Sequence, residues 1–124
     1  MTEKQRIGNA GEAHAAAYLA ERGYTILHRQ YRIHPYELDL ICRTPDDQML
    51  VFVEVRSRSV HGFGTPEESI GAKKRKFLVR GAEAFLAQTK QENARCRLDV
   101  VAVWVDSRGG LRKIEHYPDA FWAN

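Results

Sequence analysis

Two acidic residues set inside otherwise apolar segments are the side chains of this 124-residue chain best suited to chemistry. Asp39 lies in Tyr36-Glu37-Leu38-Asp39-Leu40-Ile41, and Glu54 lies in Val51-Phe52-Val53-Glu54-Val55-Arg56. Each segment is rich in apolar and β-branched residues and reads as a buried strand. A carboxylate inside such a run is costly to desolvate unless positive charge pairs with it. Hard oxygen ligands suit magnesium or manganese. A divalent cation held between two acids points to phosphodiester chemistry.

The elements that must position these acids are legible nearby. Side chains alternate across a strand, which predicts Glu37, Asp39 and Ile41 on one face and Leu38, Leu40 and Cys42 on the other. The same rule groups Phe52, Glu54 and Arg56 opposite Val51, Val53 and Val55. Pro45-Asp46-Asp47-Gln48 has the composition of a hairpin loop. A loop of that length pairs Thr44 with Met49, and the register then opposes Asp39 to Glu54 and Glu37 to Arg56. Directly opposed residues have Cβ atoms about 4.5–5.5 Å apart, close enough to share an ion. A slip by a single residue sends the acids to opposite faces. The plainer alternative is a Glu37–Arg56 cross-strand ion pair with Asp39 and Glu54 on a solvated face.

Around this hairpin the chain alternates between elements. Glu3 to Arg22 reads as a helix, with a Thr2/Gln5 capping box at its start and Gly23 at its end. Gly8 and Gly11 interrupt that helix and suggest close packing. Tyr24 to Arg32 is a first strand, and His34-Pro35 turns into the second. Ser57 to Gly64 is a loop. A second helix is expected from Thr65, with Pro66 and Glu68 completing its start, to about Lys90, with Ile70, Phe77, Leu78, Ala82, Phe85 and Leu86 as its buried stripe. Cys96 to Val105 and Leu111 to Tyr117 are two further strands around a turn. The order α-β-β-β-α-β-β predicts an α/β domain with a mixed sheet flanked by helices, spanning residues 1–124 as one unit.

Composition narrows the function classes. The charged fraction is 28%, the hydrophobic fraction 44% and the net charge +3, with a pI near 9.0. That balance is ordinary for a soluble globular protein and compatible with nucleic acid as a partner. No apolar run is long enough for a membrane span, and the start lacks the apolar centre of a signal peptide. Cys42 and Cys96 read as buried free thiols of a reducing cytoplasm, with a disulfide as the alternative. The five histidines lack zinc-ligand spacing, and no phosphate-binding glycine loop or serine-hydrolase elbow is present.

Basic residues supply the second ingredient. Lys73, Lys74, Arg75 and Lys76, with Arg80 a turn later, can track a phosphate backbone, as can Arg58 beside Arg56. A solvated helix face is the commoner use of such a cluster. Glu12 reaches the acids only if the first helix crosses the sheet; a surface glutamate is the ordinary reading. Asp99, within an apolar strand, is placed to hold a basic residue in position.

An ordered set of segments resembles the YraN-like family of small bacterial proteins. It comprises Gly8-x-x-Gly11-Glu12, Gly23-Tyr24-x-Ile26-Leu27, Glu37-Leu38-Asp39-Leu40-Ile41, Val51 to Arg58, Phe63-Gly64-x-Pro66, Cys96 to Val101 and Asp119-Ala120-Phe121. The resemblance implies a restriction-endonuclease-like fold, distantly similar to archaeal Holliday junction resolvases. It implies Asp39 and Glu54 as metal-binding acids, Glu12 as a third acid, and Arg56 where the general nuclease motif has lysine. The family pattern has Gly-Glu-Ile-Asp where this chain has Tyr36-Glu37-Leu38-Asp39, so Tyr36 is expected to narrow access to the acids. Arg56 stays charged and cannot act as a general base.

Two functions follow as expectations. One is a metal-dependent DNA endonuclease using magnesium or manganese held by Asp39, Glu54 and the Val55 carbonyl. Resolvases of this fold act as dimers, which brings a homodimer into view. The other is a nucleic-acid-binding module without turnover, favoured by arginine at position 56.

Overall fold

Thr2 opens the first helix with the reciprocal box legible in the sequence. The Gln5 amide donates to the Thr2 hydroxyl at 3.1 Å, and the Thr2 amide donates to Gln5 Oε1 at 2.9 Å. The computed structural model describes residues 1–60 and 70–121. Helix α1 (Glu3–Glu21) leads through Gly23, whose φ of +93° suits glycine, into β1 (Thr25–Ile33). Then come β2 (Tyr36–Arg43), β3 (Leu50–Ser59), α2 (Ala72–Gln88), β4 (Cys96–Val105) and β5 (Leu111–Tyr117). This is the α-β-β-β-α-β-β order expected.

The strands form one sheet in the order β1-β2-β3-β4-β5. Neighbours are antiparallel except β3 and β4, which run parallel with α2 between them in the chain. A parallel pair needs such a crossover, and the two strands are buried because a helix covers each face. Leu40, Cys42, Val51, Val53, Val101 and Val103 pack with Ala15 and Leu19 of α1. Ile41, Phe52, Leu98 and Val100 pack with Leu78, Ala82, Phe85 and Leu86 of α2. No described helix is long and apolar enough to cross a membrane.

Three expectations are corrected. The expected second helix is not helical at Ile70 and Gly71: Gly71 is extended at the cap, and the described helix begins at Ala72. The Thr65-Pro66-Glu68 box lies outside the described residues. Strict alternation along β2 also fails: Leu38 and Ile41 pack on the α2 side while Leu40 and Cys42 pack on the α1 side. The pattern changes phase at Asp39-Leu40, where pairing with β3 ends. Gly8 has open space around it, whereas Gly11 is the true close approach: a Cβ there would lie 1.8 Å from Ser57 Oγ.

Asp99 braces the β4–β5 side of the sheet. Fully buried, it accepts from Arg97 Nε at 2.9 Å, from Arg97 Nη2 at 3.1 Å and from the Asp119 amide at 2.9 Å, and it meets His116 Nε2 at 2.7 Å. Arg97 also donates to the Tyr24 hydroxyl at 2.6 Å. Burial pushes the Asp99 carboxyl up, but the bonds from His116, Arg97 and the Asp119 amide outweigh it and hold it below the usual carboxylate range.

Gly11→Ala is expected to lower stability by about 1–3 kcal/mol through overpacking against Ser57. Gly8→Ala should raise it by roughly 0.5–1 kcal/mol through helix propensity. Urea midpoints that fall equally at both positions contradict the packing account. Asp99→Asn should cost about 3 kcal/mol near neutral pH by leaving Arg97 poorly matched. Because the folded carboxyl titrates low, the stabilisation it provides is present above the ordinary carboxylate pKa of about 4 and lost as pH falls through the folded value. The gap between wild type and variant should therefore close in acid.

Candidate active site

The hairpin register is the expected one from Arg43 to Leu40, but the ladder does not reach the acids. Leu40–Arg43 pair with Val53–Leu50, and the Thr44 amide donates to the Met49 carbonyl at 3.0 Å. One step further would oppose Asp39 and Glu54, but the backbone ladder stops there. Instead the Val55 amide donates to Asp39 Oδ2 at 2.9 Å. A side-chain oxygen thus takes the place of a ladder carbonyl, and the Asp39 carboxyl is within hydrogen-bonding reach of Glu54.

Glu54 is 8% exposed. Its Oε2 lies 3.7 Å from Arg56 Nη1 and 3.6 Å from Lys74 Nζ. Burial first, then the hydrogen bond and negative charge of Asp39, push the Glu54 carboxyl up to about 8 against the pull of Lys74 and Arg56. The pull of those two cations is outweighed, and Glu54 keeps its proton more readily than an ordinary carboxyl group does.

Glu12 joins them because α1 lies so close to β3 at Gly11. Its Oε2 accepts from Gln30 Nε2 at 3.4 Å. Among the described residues, Glu12 Oε1 is the buried side-chain oxygen without a hydrogen-bond partner. Burial first, then the charge of Asp39, raise its carboxyl above the ordinary value. Glu12, Asp39, Val55, Arg56 and Arg58 line a cleft of about 760 Å³. Lys4 and Gly8 line it too. Their spacing of four residues from each other and from Glu12 is the signal that marks one face of α1.

The model of the uncharacterised protein family UPF0102 matches residues 11–103. The chain belongs to this family. Relatives described as UPF0102 proteins cover almost the whole sequence. That of Moorella thermoacetica is 43% identical, with 98% of both chains covered. That of Desulforamulus reducens is 42% identical, with 95% of this chain and 97% of the relative covered. That of Prosthecochloris aestuarii is 40% identical over 94% of each. A solved structure, SfsA of Pyrococcus furiosus in complex with Ca²⁺, is similar at a TM-score of 0.32 and 11% identity, covering 93% of this chain. This chain spans 63% of that one, and at such a score the likeness carries no argument. The matched family segment contains Glu12, Asp39, Glu54, Arg56, Lys74 and Asp99.

Not every residue singled out from the sequence meets here. Lys73, Lys76 and Arg80 are exposed on α2. Glu37 forms its ion pair with Arg32 across β1, at 3.5 Å, in place of the Arg56 pairing expected, because the β2–β3 ladder ends before either residue. Asp99 holds Arg97, away from Arg56. Tyr36 leaves the cleft clear: its ring packs on Phe77 at 5.0 Å, and its Cβ borders Gly81 on the α2 side. Both cysteines are free thiols, with burial pushing Cys42 up to about 12. The contact of Lys74 with Glu54 had no sequence signal, since the two residues are brought together only by the crossover.

Among the described residues, no group of three or more His, Cys, Asp or Glu is arranged to hold a metal ion. The donor set that does converge is the Asp39–Glu54 pair with Glu12 behind it. Hard oxygen donors, with a buried Glu12 oxygen that has no hydrogen-bond partner, fit the chemistry of a divalent cation.

Glu54→Gln should be stabilising by roughly 1–2 kcal/mol at pH 7. The folded carboxyl titrates above its unfolded value, so it weakens the fold increasingly as pH rises from the unfolded pKa to about 8. Thermal melts of both proteins across that window check this. A variant less stable than wild type at every pH overturns it.

Proposed function

We propose that this chain is a metal-dependent DNA endonuclease on a restriction-endonuclease-like scaffold, hydrolysing phosphodiester bonds in branched or otherwise structured DNA. The observation that carries this reading is the approach of Glu54 to Asp39, which lines a cleft together with Glu12, Arg56 and Arg58. Asp39, Glu54 and the Val55 carbonyl would hold magnesium or manganese. When bound, such a cation supplies Lewis acidity to phosphate oxygens and makes water acidic enough to attack near neutral pH.

The chain's own residues divide the remaining work. Val55 N–H fixes one oxygen of Asp39, leaving the other to act. Arg56 keeps its charge at any working pH and steadies negative charge growing on the phosphate, without taking a proton. Glu12 Oε1 is the acceptor that orients attacking water. Arg58 and Lys4 carry the backbone along the cleft, and Lys73, Lys76 and Arg80 extend the positive surface on α2. Contacts of this kind position a strand without reading its bases. On a branched substrate the chain would work as a homodimer, one cleft per strand.

A second reading, a nucleic-acid-binding module without turnover, is favoured by the Arg56 and Lys74 charges already set against Glu54.

The test is cleavage of branched, flapped and linear DNA in magnesium and in manganese. Wild type should cut at least one class. Asp39→Asn should fall by more than about a hundredfold, beyond the loss expected for an outer partner of a metal ligand. Equal behaviour of the two proteins on every substrate ends the enzyme reading. Binding that weakens steeply with salt, with no cleavage in either metal, selects the second.

A further inference from the structure

Lys74 and Arg56 both approach the same oxygen of Glu54, yet they are held differently. Arg56 sits two residues along the same strand and its side chain is 23% exposed, whereas Lys74 reaches in from α2 and its side chain is 43% exposed. At 3.6 Å the Lys74 contact is electrostatic, longer than an N–H···O hydrogen bond. The ammonium is a compact charge on a flexible stem. It also lies 5.6 Å from the Phe77 ring, which offers a second resting place. Its neighbour Arg75 is fixed differently, donating to the Ile70 carbonyl at 3.1 Å. A divalent cation sharing Glu54 with an ammonium at that distance would be strongly repelled by it. The less enclosed of the two side chains is the one able to move.

We propose that Lys74 is a displaceable counter-ion: a divalent cation drives its ammonium off Glu54, and the released ammonium binds a backbone phosphate of the incoming DNA. The inference rests on the cation-binding reading of the Asp39–Glu54 pair. It makes cation and nucleic acid bind with positive coupling, because each favours the same position of Lys74. In the absence of a cation the lysine screens Glu54 and is withheld from phosphate. With the cation in place, the basic stretch of α2 gains a charge at the point nearest the acids.

Manganese titration followed by electron paramagnetic resonance reads the first half. Lys74→Gln should bind Mn²⁺ about five to ten times more tightly than wild type, the gain expected when a partly buried ionic competitor is removed. Lys74→Arg, which keeps the charge, should bind like wild type. Lys73→Gln removes an equal charge from an exposed neighbour and should leave affinity unchanged, because solvent and salt screen it. Fluorescence anisotropy with a labelled DNA junction, with and without calcium, reads the second half. Calcium should tighten junction binding by wild type, and that gain should vanish in Lys74→Gln. Equal Mn²⁺ affinity in Lys74→Gln and Lys73→Gln, or a calcium gain that survives in Lys74→Gln, overturns the inference while leaving the cation site intact. Wild type that takes up no Mn²⁺ overturns both the inference and the reading beneath it.

Discussion

Two carboxyl groups side by side in a poorly solvated wall repel each other, and each resists losing its water. The Asp39–Glu54 pair imposes that cost, and several features of this chain compensate for it. The β2–β3 ladder ends just before the pair, freeing the Val55 amide for Asp39. Arg56 and Lys74 bring two positive charges to Glu54. The compensation is incomplete, since burial and the neighbouring Asp39 still push the Glu54 carboxyl up. Structures seldom keep such an arrangement for stability, and sites where titration is displaced this far by burial and a like charge are disproportionately functional.

The place where the ladder stops is also where the two faces of the sheet communicate. Elsewhere the core divides cleanly, with α1 over one face and α2 over the other. At Asp39 and Glu54 the separation is breached: Glu12 comes from α1, Lys74 from α2, and both act on the same pair. The helices are held near the pair by different means. Gly11 lets α1 lie against Ser57, while Gly81 lets α2 lie against Tyr36 and Leu38. Small residues at these two points therefore decide how near each helix brings its charged side chain. The brace around Asp99, on the β4–β5 side of the sheet, stiffens the strands without entering the cleft.

What the sequence disclosed was local. The Thr2/Gln5 box, the turn at Pro45–Gln48 and the hairpin register depend on residues within a few positions of each other, and each was legible from residue type. The order of elements followed from the same signals. What it concealed was non-local or a broken rule. Alternation assigned Ile41 to the face of Asp39, and the structure moves it because the pleat changes phase where pairing ends. The expected helix ran unbroken through Ile70 and Gly71, yet Gly71 is extended and the described helix begins at Ala72. The partners of Asp99 on β5 and beyond, the turn of Tyr36 towards α2, and the reach of Lys74 to Glu54 all arise from tertiary packing. No period in the sequence encodes them.

On the proposed reading, Asp39 and Glu54 share one cation. Crystals soaked in manganese chloride and measured near the manganese absorption edge provide the sharpest test. The expected outcome is an anomalous difference peak lying between the two carboxyl groups. An ordered, well-resolved site with no peak there, or with manganese bound only elsewhere on the chain, would contradict it.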